Sequence, residues 1–257
     1  MKVFLQVREG RPNVEKFARS LQSTLEREGV GATGESDEAD MVIAVGGDGT
    51  MLSAAAVAHR NNVPVLGFNL GTLGFIAAAE PADLEKVARR LVSGDYGLED
   101  RMTVAATIKG QTAHGVNDVV IEKVDSQRLI ELTVEIGSVD FATYRADGLI
   151  VATPTGSTAY SFSAGGPLVS PAVDALVLTP VAAHSLFSRS IVIPSTQEIA
   201  ITVNRDRTVK VSVDKQSLGQ LGEGERVIVK RGDRPVRFVT LDPLSFAGLV
   251  RLKFGLR

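Results

Sequence analysis

The sharpest chemical signal in the chain is the apolar run Asp40-Met41-Val42-Ile43-Ala44-Val45, followed by Gly46-Gly47-Asp48-Gly49-Thr50 and then a helical pattern. In open α/β sheets, ligands bind beyond the carboxyl ends of strands. Glycines there let the backbone come close, and the next helix offers free N–H groups to an anion. A phosphate is the natural guest. The loop is not a Walker A sequence, which needs Gly-Lys-Ser/Thr, nor GxGxxG, because Leu52 stands where the third glycine would be. A carboxylate among phosphates repels them unless it has a task. Asp48 could orient a divalent cation, or accept the proton of a hydroxyl that attacks a phosphoryl group. Both tasks belong to a kinase. The plainer alternative makes Asp48 and Thr50 a turn and a helix cap.

A second dense region runs from Arg145-Ala146-Asp147-Gly148 through Thr153-Pro154-Thr155-Gly156-Ser157-Thr158-Ala159-Tyr160-Ser161-Phe162-Ser163 to Gly165-Gly166-Pro167. Small residues and hydroxyls at this density let a ligand lie along the backbone, and they suit ribose and base recognition. The interleaved Pro154, Tyr160, Phe162 and Pro167 argue for an ordered loop rather than a linker. Other constellations are weaker. His59, His114 and His184 have no metal-ligand spacing. A Ser-His-Asp hydrolase lacks its GxSxG elbow, which leaves His184 as a hydrogen-bonded core or pocket-wall residue. Glu35, Asp37 and Glu38 read as solvated charge. Arg101, Lys109, Arg205, Arg207, Lys210, Lys230, Arg231 and Arg234 form no continuous stripe, so a nucleic-acid surface is not expected.

These loops need elements to hold them. Residues 3–7, 41–45 and 63–67 read as strands. Val14, Phe17, Ala18, Leu21 and Leu25, then residues 51–60, then Leu84, Val87, Ala88, Leu91 and Val92 read as helices. Such alternation predicts a Rossmann-like parallel α/β domain over 1–98. Beyond it the period falls to two, as in Leu132, Val134 and Ile136, in Ile199, Ile201 and Val203, and in Val209, Val211 and Val213. Residues 103–109, 149–153, 226–230 and 236–241 add further strands. A β-rich, sandwich-like domain over 99–242 is the expectation, with the tail 243–257 returning to the first domain.

Composition sets the outer limits. The 257 residues include 28 basic and 30 acidic side chains, for a formal net charge of −2, which gives no bulk attraction to nucleic acid or anionic lipid. With no cysteine, disulfides, thiolate nucleophiles and Cys-containing metal sites are excluded, and a reducing cytoplasm fits. No apolar run reaches the roughly 18 residues of a membrane span, and the amino terminus turns polar too early for a secretory signal.

In order along the chain, the Gly46–Thr50 loop, Leu73-Gly74-Phe75, Asn117-Asp118, Asp147-Gly148 with residues 153–160, and residues 164–167 together resemble the NAD kinase family. GGDGT-like loops also occur in lipid kinases and phosphofructokinases; the later motifs are the selective ones. The resemblance implies an ATP-dependent NAD kinase. Asp48 would be the base that takes the proton of the adenosine 2′-hydroxyl of NAD while the γ-phosphate of ATP is transferred with Mg2+ or another divalent cation. Gly46, Gly47, Gly49 and Thr50 would form the phosphate-side loop, with Asp48 and Gly49 also touching NAD. Phe75 would line the dinucleotide site, and Asn117 and Asp118 would meet base and ribose. Arg128 and Arg145 would lie near the dinucleotide, and Asp147 would meet its nicotinamide end. Thr158, Ala159, Tyr160, Ser161, Phe162 and Ser163 would run along the ligand, with Ala182 and Gln216 as further contacts.

No protein metal ligand is implied. The chain departs from relatives at Asp118, commonly Glu, and at Lys215, commonly Gly; Lys215 is expected to sit solvated in a slightly different turn. The resemblance further implies a cytoplasmic homodimer or homotetramer, and it admits inorganic polyphosphate as donor. The rival readings are a lipid kinase sharing the GGDGT loop and a non-catalytic dinucleotide sensor.

Overall fold

Strand and helix alternate through Met1–Arg101 in the order β1 (Lys2–Val7), α1 (Pro12–Arg27), β2 (Gly31–Thr33), β3 (Met41–Gly46), α2 (Asp48–Asn61), β4 (Val65–Asn69), α3 (Leu84–Ser93) and β5 (Gly97–Arg101). Every residue of β3 and β4 is buried, as central parallel strands covered on both faces require. α1 begins with Pro12 and turns Val14, Ala18, Leu21 and Leu25 inward. α3 buries Val87, Ala88 and Leu91 and stops at Gly94, whose φ of +71° only glycine adopts without strain. These side chains close on Val3, Ile43, Leu66 and Phe68 to form one core. α2 starts earlier than the spacing of its apolar residues suggests. Gly47 occupies the N-cap, and Asp48-Gly49-Thr50 are already helical.

The computed structural model describes residues 1–71, 74–76, 79–125, 127–205, 207–242 and 244–256. It divides into two units, Met1–Arg101 with Pro235–Arg257, and Met102–Arg234. The second unit contains β6 (Val104–Ile108), β7 (Gln111–Gly115), β8 (Asp118–Lys123), β9 (Ile130–Ile136), β10 (Val139–Ala146), β11 (Gly148–Ala152), the short helix α4 (Tyr160–Ser163), β12 (Ala175–Val181), β13 (Ile191–Pro194), β14 (Ile199–Asn204), β15 (Val209–Val213), β16 (Gln216–Leu221) and β17 (Arg226–Arg231). They form two antiparallel sheets, ordered β10-β9-β14-β17-β6-β7 and β13-β12-β11-β8-β15-β16. Alternate residues of both sheets, among them Leu132, Val134, Ile201, Val211, Ile121 and Leu149, share one core. The other face of β8, β11 and β12 is covered too: Val120, Ile150 and Val177 pack with Val169 from the long loop after β11.

The chain then returns to the first unit. β18 (Val236–Thr240) pairs in parallel with β4 and antiparallel with β5, completing the order β2-β1-β3-β4-β18-β5. By its period, this strand reads as part of the β-rich half. Its partners show otherwise, because a period of two fixes the faces of a strand and not the sheet it joins. α5 (Phe246–Phe254) follows, capped by Ser245, whose hydroxyl accepts from the Gly248 N–H. Among the described residues, no helix is long and apolar enough to cross a membrane.

One turn corrects the sequence reading. Asp214 and Lys215 link β15 to β16 with φ of +47° and +70°. That is the two-residue hairpin turn with both φ positive, which favours glycine second, and the β6–β7 hairpin obeys the preference with Lys109-Gly110 at +47° and +79°. The turn has therefore not changed to suit lysine; Lys215 occupies a left-handed position with its side chain exposed. Lys215→Gly is expected to stabilise the protein by about 0.5–1 kcal/mol, the left-handed cost less the added unfolded-state entropy. Urea unfolding of the two proteins checks this, and a loss of stability in the variant would refute the strain.

Candidate active site

In the first unit, the exit of β3 is tight. A Cβ on Gly46 would strike the Thr50 side chain, and the Gly46 carbonyl accepts from the N–H of Leu70 at 3.1 Å, tying the loop to the end of β4. The Gly47 carbonyl accepts from Thr50 and Met51, which closes the first turn of α2. Asp48 is thus the first helical residue and not a cap; the cap is Gly47, without a side chain to offer. The Asp48 side chain is exposed, and among the described residues no hydrogen bond or ion pair engages its carboxylate. It stands at the positive end of the helix dipole, where a carboxylate or a phosphate is favoured. Gly74 borders it so closely that a Cβ there would meet Asp48 Oδ1. Phe75 follows, half buried. Leu73, the first residue of that motif, lies outside the described residues. A cleft of about 520 Å3 opens past β4, lined by Asn13, Phe17, Asn69, Leu70, Gly71, Glu80 and Pro81.

In the second unit the centre is Asp214. Its carboxylate accepts from the backbone N–H groups of Val116 at 2.7 Å, Asn117 at 2.9 Å and Asp118 at 3.1 Å, and its own N–H donates to the Asp118 carbonyl. From the opposite side Thr153 donates its N–H to the Asn117 carbonyl and its hydroxyl to that of Val116. Gly156 lies so near that a Cβ would enter the Asn117 backbone. Asn117 and Asp118, adjacent in sequence, are thereby held side by side and buried, and Asn117 Oδ1 has no hydrogen-bond partner. An orphaned acceptor of this kind costs about 1–3 kcal/mol until a donor arrives. Burial, reinforced by the Asp214 charge, pushes the Asp118 carboxyl up to about 7. Asp214 is also raised by burial, against the pull of its three N–H donors.

The long loop divides its polar groups between inside and outside. Ser157 Oγ donates to the Pro154 carbonyl and accepts from the N–H of Val169, and Thr158 bonds the Thr155 carbonyl. Ser161 was expected along the ligand; it is fully buried, and its hydroxyl pairs with Thr179 at 2.9 Å. The first turn of α4 rotates it inward while exposing Tyr160, Phe162 and Ser163. Thr158 and Ala159 are half buried.

Tyr160 shares a cleft of about 240 Å3 with Asp147, Gly148, Lys123 and Glu122. Lys123 Nζ lies 2.5 Å from Asp147 Oδ1. No motif points to this lysine, which is separated from its partner by the whole β9–β10 hairpin. Arg145 is brought beside the segment after β12: its N–H donates to Ser185 Oγ, and its carbonyl accepts from the N–H of His184. Ala182, at φ +47°, lies in that same segment, and the Val181 carbonyl accepts from the N–H of Asp147. His184 is exposed and not a core residue. Gln216 is exposed just beyond the Asp214-Lys215 turn. Arg128 stands apart on an exposed turn, and among the described residues its guanidinium is not joined to the others.

A Gly-Gly-Asp-Gly loop closing a parallel strand, with its carboxylate bare at a helix N-terminus, offers the groups that phosphoryl transfer to a hydroxyl uses: free N–H groups for phosphate oxygens and a carboxylate for the proton. Comparison with known proteins is specific. Residues 6–96 match the ATP-NAD kinase N-terminal domain and residues 116–241 the ATP-NAD kinase C-terminal domain. NAD kinase 2 of Streptomyces avermitilis is 41% identical over 226 residues, covering 86% of this chain and 75% of that protein. NAD kinase 2 of Streptomyces coelicolor is 36% identical over 283 residues, covering 99% and 94%. The chain belongs to the NAD kinase family. Its fold is shared with yeast NADH kinase solved with NADH (TM-score 0.92, 24% identity, 100% of this chain and 88% of that one). It is shared too with an Archaeoglobus fulgidus NAD kinase solved with ATP (0.78, 22%, 94% and 93%). The lipid-kinase and sensor readings find no support in these matches.

The buried acid gives this site a pH signature. The Asp118 carboxyl rises from its ordinary 3.8 to about 7 in the fold, so between those values the native state holds more proton than the unfolded chain. Stability must then fall as pH rises through that window, by up to about 1.4 kcal/mol per pH unit for one proton. Urea unfolding across the window is expected to show this slope in the wild type and a shallower one in Asp118→Asn, where only the part due to Asp214 is left. An unchanged slope in the variant would assign the proton elsewhere.

Proposed function

We propose that the protein transfers the γ-phosphate of ATP to the adenosine 2′-hydroxyl of NAD, forming NADP, with Asp48 as the base. The observation that carries this is the bare Asp48 carboxylate at the start of α2, beside glycine backbone on two sides. A carboxylate in that place can take the hydroxyl proton while the N–H groups of the first helical turn face phosphate oxygens. Gly46, Gly47, Gly49 and Thr50 supply that turn, and the cleft past β4 offers neighbouring space for the donor.

In the second unit, Asn117 Oδ1 awaits an N–H donor such as a base amino group, and Asp118, carrying its proton near neutrality, can donate to or accept from a ribose hydroxyl. Gly49, Phe75, Arg145, Thr158, Ala159, Tyr160, Phe162, Ser163, Ala182 and Gln216 are assigned to NAD contact, and Asp147 to its nicotinamide end; Arg128 keeps only the family analogy. Ser161 serves the fold through Thr179.

Among the described residues no group of three or more His, Asp or Glu side chains could hold a metal. Mg2+ would be held by the substrate phosphates and waters. When bound, the cation neutralises phosphate charge. The remaining assignments are a cytoplasmic location, which the absence of cysteine fits, and a homo-oligomer, which the fully exposed Leu186 beside the partly exposed Phe187 fits.

Purified protein with ATP, Mg2+ and NAD is expected to yield NADP. Asp48→Asn should keep dinucleotide binding and lose about 10²–10⁴ in kcat. A loss of only a fewfold would remove Asp48 from the role of base, and no NADP from the wild type would end the proposal. NADH and polyphosphate in parallel assays fix acceptor and donor preference.

A further inference from the structure

The carboxy-terminal helix is apolar yet none of its side chains is buried. Leu252 and Phe254 are 59% and 44% exposed, so core burial does not explain where α5 sits. Its last turn touches Phe75. The Phe254 and Phe75 ring centroids are 6.4 Å apart at 44°, and Lys253 Nζ stands 4.9 Å from the Phe75 centroid. Both lie within the ranges of aromatic pairing and cation–π attraction. Among the described residues the Lys253 ammonium makes no ion pair with an acid, so the ring is its partner. Phe75 in turn directly follows Gly74, which abuts the Asp48 carboxylate. A continuous line of contact therefore runs from the end of the chain to the proposed base.

We infer that Lys253 and Phe254 are positioning residues, which hold the Phe75 ring in the orientation that receives the dinucleotide. The inference rests on the reading that Phe75 lines the NAD site. Lys253 takes one face of the ring and Phe254 braces it. A side chain ordered beforehand need not be ordered by the substrate, and the gain goes to affinity. Neither residue exchanges a proton with substrate, so the effect falls on KM for NAD and not on kcat.

Steady-state kinetics on the full chain, with NAD varied at saturating ATP, test this. Lys253→Met is expected to raise KM for NAD about two- to fivefold, the range of an exposed cation–π contact, with kcat unchanged. Lys253→Arg should restore the wild-type KM, because a guanidinium also stacks on aromatic faces. Phe254→Ala should act in the same direction as Lys253→Met, and Lys253→Met and Lys253→Arg should leave the melting temperature unchanged, since an exposed cation–π contact contributes little to stability. A KM unchanged or lowered in Lys253→Met, or no rescue by arginine, overturns the inference. Phe75→Ala separates the two layers. If it raises KM while Lys253→Met does not, the positioning role fails and the Phe75 reading stands; if Phe75→Ala itself leaves KM unchanged, both fall.

Discussion

Three consecutive backbone N–H groups, those of Val116, Asn117 and Asp118, end on one buried carboxylate, and the proposed dinucleotide residues of the second unit depend on it. Asp214 reaches them from the turn between β15 and β16, about a hundred residues downstream. Without that acceptor the segment between β7 and β8 would leave several N–H groups buried and unpaired, each costing about 1–3 kcal/mol. The anchor explains why the following turn keeps a left-handed residue even though lysine occupies it. The position of Asp214 fixes the turn, and the turn accepts the strain. It also explains why Gly115 and Gly156 flank the segment: a Cβ on Gly115 would meet Asp214, and one on Gly156 would meet Asn117.

The same anchor sets the electrostatics. Asp118 and Asp214 are brought together out of water, and neither has a cation in direct contact among the described residues. Burial disfavours the charged form of Asp118, and the nearby Asp214 charge adds to this, so its carboxyl is pushed up to about 7. Asp48 is in the opposite situation, in water at a helix N-terminus. The two kinds of acid suit two kinds of work. In the proposed function, the one would recognise hydroxyl and amino groups through hydrogen bonds, and the other would take a proton from the reacting hydroxyl.

Much of this was legible in the sequence. The change of period from helix-and-strand to strand alone marked two kinds of fold, and the glycines around Asp48 marked the tight passage from β3 to α2. What stayed hidden was information carried by pairing across distance. Lys123 has no spacing relation to Asp147, so nothing local announces their ion pair. β18 alternates like its neighbours in sequence, yet it completes the other unit's sheet. Ser161 belongs to a run of hydroxyls that all look ligand-facing, and only the helical rotation of α4 turns it toward Thr179. The start of α2 was missed for a related reason. The helical pattern is legible only from residue 51, but in the first turn, where N–H groups lack intrahelical partners anyway, Gly49 interrupts no helical hydrogen bond.

The glycines near the site therefore matter mainly through what they leave out. At Gly74 the missing Cβ gives room to the Asp48 carboxylate, and at Gly156 it lets the long loop close on the Asn117 backbone. Alanine at either place would push apart groups that the proposed chemistry needs within hydrogen-bond reach, without altering any charged residue. This is a constraint of space and not of flexibility. Both residues pack against atoms of the proposed site, so the positions of Asp48 and Asn117 are constrained by backbone crowding.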